Sequence, residues 1–124
     1  MTEPVQRWQQ GELSLEAQAA PGELRVMWRG RSADREPARF LGPVLSELVE
    51  TCRRAAARLR LDFTALEYMN SSTFTPIVRA LGEARRAGVP IALEYAQGKS
   101  WQALSFSALR TFETADGSVA VLGR

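Results

Sequence analysis

The chain has 124 residues, 45% of them hydrophobic, the size and composition of one domain with its own core spanning 1–124. Its 16 Lys plus Arg against 14 Asp plus Glu leave a net charge of +2, so no nucleic-acid partner is implied although the pI is about 9.2. Histidine is absent, which removes the commonest general base, the commonest transition-metal ligand and every Ser-His or Cys-His nucleophile pair.

Residues 1–11 read as a loose polar leader, with Val5 and Trp8 touching the body. Leu13, Leu15 and Ala17 then alternate with polar residues, Pro21-Gly22 signals a turn, and Leu24, Val26 and Trp28 alternate again, which predicts a β-hairpin. Residues 30–39 read as irregular. Gly42-Pro43 starts a helix running to about Ala57, with Val44, Leu45, Leu48, Val49, Cys52, Ala55 and Ala56 on its apolar stripe. Leu59, Leu61 and Phe63 alternate with Arg60 and Asp62 as a strand.

After the polar run Asn70, Ser71, Ser72, Thr73 the period changes. Phe74, Ile77, Val78, Leu81 and Ala84 share one helix face, and Gly88 ends that helix behind Arg85 and Arg86. Val89, Ile91, Leu93 and Tyr95 form another strand. Trp101, Leu104, Ala108, Leu109 and Phe112 give a third amphipathic helix, and Val119 and Val121 a final strand after the turn Asp116-Gly117. The predicted order is β-β-α-β-α-β-α-β, an α/β fold with a mixed sheet of about five strands. Because most strands are apolar on one face only, the helices are expected mainly on one side.

The chemistry concentrates where the strand hands over to the second helix. There the first backbone N–H groups of a helix point outward unpaired and favour negative charge. Asn, Ser and Thr before an apolar-periodic run are ordinary N-cap residues, yet one cap needs one side chain and four polar residues stand here. Ser71 and Ser72 lack the Gly-x-Ser-x-Gly elbow and a histidine base, so the chain does not read as an enzyme, and no catalytic residue, metal or cofactor is expected. Cys52, the single cysteine, sits on an apolar stripe as an inert thiol, and its lack of a partner suits a reducing compartment. The arginines at 53, 54, 58, 60, 79, 85 and 86 are spread over helix faces and a strand as solvated surface. Gly98-Lys99-Ser100 lacks the earlier glycine of a phosphate loop. With no signal-peptide core and no membrane-length apolar run, the expectation is a cytoplasmic protein without membrane insertion.

Leu61-Asp62-Phe63, followed by Leu66, Tyr68, Met69, Asn70, Ser71, Ser72 and a helix, resembles the signature of STAS domains, the family of bacterial anti-sigma factor antagonists. In that pattern an apolar strand ends in Asp, a short loop follows, and Asp-Ser-Ser-Gly opens a helix. The resemblance runs from Leu13 to Leu122, and with Gly98, Lys99, Ser100 and a following Trp it is similar to the stand-alone regulators of partner-switching systems. Tyr68 to Thr73 also approaches the Tyr-x-Asn-Thr-Ser-Ser of regulators of diguanylate cyclases. This chain departs from the pattern with Asn70 for the usual Asp and Thr73 for the Gly.

The resemblance implies a non-enzymatic phosphoprotein of signal transduction. A serine kinase with a histidine-kinase-like ATP fold would phosphorylate the first hydroxyl residue, by position Ser71, and a PP2C-type phosphatase would reverse it. Tyr68, Asn70, Ser71, Ser72 and Thr73 would form the partner-binding surface, open when unmodified and closed when phosphorylated; a homodimer is left open. Other readings are a non-phosphorylated STAS subunit steadying a larger assembly, a regulator of a diguanylate cyclase, and a small-ligand sensor using the exposed sheet face and Trp28.

Overall fold

Apolar residues at every second position, broken by glycine-bearing turns, give a sheet, and the helix-period segments between them cover one of its faces. A computed structural model describes residues 6–124. In chain order the elements are β1 (Gln6–Gln10), β2 (Leu13–Ala20), β3 (Glu23–Ser32), α1 (Pro37–Ala55), β4 (Arg58–Asp62), β5 (Leu66–Met69), α2 (Phe74–Ala87), β6 (Ile91–Tyr95), α3 (Ser100–Ala108) and β7 (Val119–Gly123). A 3-10 turn, Ser71–Thr73, leads into α2, and a second, Leu109–Phe112, follows α3.

The sheet has seven strands in the order β1-β2-β3-β4-β6-β7, with β5 beside the end of β3. β1, β2 and β3 pair antiparallel and the other pairs are parallel, so the sheet is mixed. Its inner face carries Leu15, Val26, Trp28, Leu59, Leu61, Phe63, Ile91, Leu93, Val119 and Val121, all buried beneath Leu41, Leu45, Leu48, Ile77, Leu81 and Phe106 of the helices. Trp28 meets Phe63 at a centroid separation of 4.5 Å, and Phe63 meets Phe106 at 4.7 Å, an aromatic seam running from β3 to α3. The other face is charged. Glu94 there is 1% exposed and holds Arg124 Nε at 2.6 Å, Arg60 Nη1 at 3.2 Å and Arg25 Nη2 at 3.4 Å, so its carboxylate is compensated from three sides.

β3 is long enough to change partner along its length. Glu23–Met27 pairs with β4, whereas Gly30–Ser32 pairs with β5, and the register slips between Gly30 and Arg31. Gly30 has φ +85°, and a Cβ there would stand 1.8 Å from the Glu12 carbonyl oxygen, so only glycine lets the β1–β2 turn approach.

The structure corrects several sequence expectations. Gln6–Gln10, expected as part of a loose leader, is the edge strand β1 in register with β2; Trp8 does pack half-buried against the core, while Val5 lies outside the described residues. Its polar side chains hide it, since an edge strand is held by its backbone. β5, with Leu66 and Met69 buried and Glu67 and Tyr68 exposed, is too short and irregular to show a two-residue period, so the sheet exceeds the expected five strands. Residues 30–39 are not irregular throughout: β3 runs to Ser32 and α1 starts at Pro37, so the helix-opening proline is Pro37 and Pro43 lies inside the helix. α1 ends at Ala55, and its C-cap Ala56 takes a left-handed φ of 52° without being glycine. In α3 the expected apolar stripe holds only in part: Leu109 is buried and Trp101 packs against the core as expected, but Leu104 is 78% exposed, Ala108 and Phe112 are also exposed, and Gln102 and Phe106 take the inward positions. Trp28 is fully buried on the helix side, so it is no part of an exposed sheet face.

Candidate functional site

The corner that carries the hydroxyls is built from both ends of its strand. Asp62, at the end of β4, accepts through Oδ1 from the Thr64 N–H at 2.9 Å and the Thr64 hydroxyl at 2.6 Å, turning the chain toward β5. α3 clamps that turn from below. The buried Gln102 donates through Nε2 to the carbonyls of Phe63 (2.7 Å) and Leu66 (2.9 Å), while its Oε1 accepts from the Ala96 N–H at 2.8 Å. Lys99 adds Nζ to the Thr64 carbonyl at 2.8 Å. Neither Gln102 nor Lys99 was predicted as part of the site; Gln102 sits within an apolar-looking helix, and only its full burial reveals the role.

β5 then runs alongside the end of β3 and delivers Asn70, whose N–H donates to the Ser32 carbonyl at 2.9 Å. Asn70 is the N-cap. Its Oδ1 accepts from the Thr73 N–H (3.1 Å) and from the Thr73 hydroxyl (2.7 Å), and its Nδ2 donates to the Asp34 carbonyl at 2.7 Å. Because the Thr73 hydroxyl donates to Asn70, the Ser32 hydroxyl, 2.7 Å away, must donate to Thr73. The relay Ser32 to Thr73 to Asn70 is thus fully directional. An aspartate at position 70 would keep the cap and lose the bond to Asp34, which accounts physically for the amide.

Thr73 is 0% exposed, with helical φ −69° and ψ −23°, so it needs no glycine freedom and its hydroxyl is consumed inside the corner. Thr73, expected among the partner-binding residues, is instead buried beneath the exposed serines. Ser71 and Ser72, one and two residues after the cap, are exposed, and Asn70 is half-buried. Tyr68 is 40% exposed with the Arg31 guanidinium 4.7 Å from its ring centroid. Beside the corner, a cavity of about 260 Å³ is lined by Gln10–Leu13 and Arg31–Asp34, reaching Ser32 and Asp34, whose carbonyls Asn70 bonds.

Burial pushes the Cys52 thiol up to about 11, leaving it protonated and unreactive. Among the described residues there is no group of three or more Cys, Asp and Glu placed to hold a metal ion, and no helix is long and apolar enough to cross a membrane.

No protein-family model and no curated protein sequence matches the chain. Solved structures do. SiaC of Pseudomonas aeruginosa in its apo form superposes with a TM-score of 0.65 at 21% identity over 98% of this chain and 99% of that one. An anti-sigma factor antagonist from Mycobacterium paratuberculosis gives 0.56 at 13% identity over 86% and 90% of the two chains. The fold is STAS-like. A chain in the complex of the P. aeruginosa diguanylate cyclase SiaD with its activator SiaC shares this STAS-like fold at a TM-score of 0.63 and 20% identity, over 96% of this chain and 99% of that one.

Proposed function

We propose that this chain is a non-enzymatic regulatory protein-interaction domain of the bacterial cytoplasm, switched by phosphorylation of Ser71. One observation carries the reading: of the three hydroxyls at the corner, Thr73 is locked inside, while Ser71 is exposed directly after the N-cap of a rigid helix start. A phosphate adds about −1.5 to −2 charges at neutral pH. The fold receives it well, because a helix N-terminus favours an anion. A docked partner does not, since an uncompensated charge in a desolvated contact costs several kcal/mol, against the roughly 8 kcal/mol of a micromolar complex. The partner is a serine kinase of histidine-kinase-like fold, with a PP2C-type phosphatase resetting the switch.

The test is incubation of the purified protein with the serine kinase encoded nearest to it and ATP, followed by mapping of the product by mass spectrometry. Phosphate on Ser71 is expected, together with loss of kinase binding by Ser71→Asp; phosphate elsewhere, or unchanged binding, overturns the assignment and favours a constitutive STAS subunit of a larger assembly.

A second reading is favoured by the likeness to SiaC, which covers nearly all of both chains, and by the Tyr68-x-Asn70 spacing: the regulated partner is a diguanylate cyclase. Cyclic-di-GMP formation by a diguanylate cyclase from the same genome, rising when unmodified protein is added, supports it.

A further inference from the structure

The two outer strands of the sheet are finished differently. At β7 the chain covers the first half of its own edge: Val119 N–H donates to the Thr114 hydroxyl at 3.0 Å, Val121 N–H donates to Glu113 Oε2 at 3.0 Å, and the Val119 carbonyl accepts from Thr114 N–H at 3.2 Å. Three backbone groups on the free side of that strand are therefore occupied from within the chain. At β1 none of this happens. It pairs with β2 on one side, and among the described residues nothing bonds to the backbone groups on its other side. Nor does β1 carry the usual protections of an exposed edge, which are proline, lysine, a bulge or an inward-pointing charge. Its register with β2 is unbroken over all five residues, and its single charge, Arg7, is already neutralised by Glu16 at 2.6 Å.

We propose that the free edge of β1 pairs antiparallel with β1 of a second copy, joining two sheets into one. The sequence Gln6-Arg7-Trp8-Gln9-Gln10 is self-complementary about Trp8. A two-fold axis there places Trp8 opposite its own copy, Arg7 opposite Gln9 and Gln6 opposite Gln10, so every residue of the strand is paired and no like charges face each other. A register centred on Arg7 instead sets two guanidinium groups face to face. The half-buried indole of Trp8 lies on the helix side of the sheet, in line with Leu15 of β2, and the second copy extends that apolar row. The strand is only about 17 Å long, so the contact is small and reversible. The pairing uses none of the residues from Tyr68 to Thr73, and the inference does not rest on the proposed switch.

Sedimentation equilibrium of the full chain across the micromolar range reads it directly. The mass is expected to rise with concentration from 13.7 kDa toward twice that value. Gln9→Arg sets Arg7 against a second arginine at both symmetric positions and is expected to weaken the dimer several-fold, whereas Gln9→Glu creates two cross-strand ion pairs and tightens it by a similar factor. Both changes are on an exposed side chain, and circular dichroism melts confirm that the monomer fold is kept. A mass of 13.7 kDa at all concentrations, or a dimer that responds equally to both variants, overturns the proposal. So does a monomeric full chain that dimerises only when residues 2–5 are deleted, since the edge is then covered by the chain itself.

Discussion

Asn70 Nδ2 donates to the Asp34 carbonyl at 2.7 Å while Oδ1 of the same amide caps the helix at Thr73, so one side chain ties the connection between β3 and α1 to the start of α2. Asn70→Asp keeps the cap and gains from the helix dipole but leaves the Asp34 carbonyl without its donor; a loss of about 1 kcal/mol is expected. Asn70→Ala loses both functions and is expected to cost about 2 kcal/mol. Urea denaturation of the three proteins checks the order: wild type, then Asp, then Ala.

From a fully buried position Gln102 donates to two carbonyls of the β4–β5 turn and accepts from the Ala96 N–H just after β6. Gln102→Leu preserves much of the volume, strands the Ala96 N–H and removes one donor from each carbonyl, which keep the Leu66 N–H and Lys99 Nζ, so a destabilisation of about 2 kcal/mol is expected. Hydrogen exchange is expected to show the excess opening first at Leu66, whose N–H bonds Phe63 at 2.9 Å within that same turn.

Much of this architecture was legible in the sequence, for reasons that also explain the failures. Leu59, Leu61 and Phe63 alternate because β4 has one face against helices, and Phe74 to Ala84 keeps a helical period because α2 is buried along one stripe. The Asn-Ser-Ser-Thr corner was readable as a cap because capping is local. β1 was not readable, since a strand stabilised by its backbone leaves no apolar alternation. α3 misled for the opposite reason: Trp101, Leu104 and Ala108 have the spacing of a buried face, but the helix turns Gln102 and Phe106 inward to hold a distant turn and an aromatic seam, and no local signal encodes those partners.

Ala56 closes α1 in the left-handed region, where its Cβ is strained against the backbone. Ala56→Gly relieves that strain while increasing the freedom of the unfolded chain, and the net is expected to be a stabilisation of about 0.5–1 kcal/mol. Thermal denaturation, read as a rise in Tm, is the measurement.

Surface carboxylates contribute to the acid limb of stability. Hydrogen bonding to Arg53 holds Glu50 at about 2 against an ordinary 4.5, the Thr114 hydroxyl and the Ser118 N–H hold Asp116 at about 2 against 3.8, and Arg7 lowers Glu16. These groups bind protons less readily when folded, so their contribution is complete above the ordinary carboxylate range and is lost as pH falls from about 4 through 2. At the alkaline end Cys52, raised from 9.0 to about 11, binds its proton more tightly when folded, so its contribution holds below 9 and disappears as pH climbs toward 11. Chemical denaturation from pH 2 to pH 11 is expected to trace a plateau with these two shoulders, the acid one shallower in high salt.

Gly30 gives the sheet a second kind of vulnerability. The carbonyl of Glu12 occupies the space a methyl group would need, and beyond that point β3 leaves β4 and takes β5 as its neighbour. The location of the exposed serines is therefore inherited from a crossing of two backbones on the far side of the central strand. Drift at that crossing would displace the serines while every hydroxyl, arginine and cap near them remained intact.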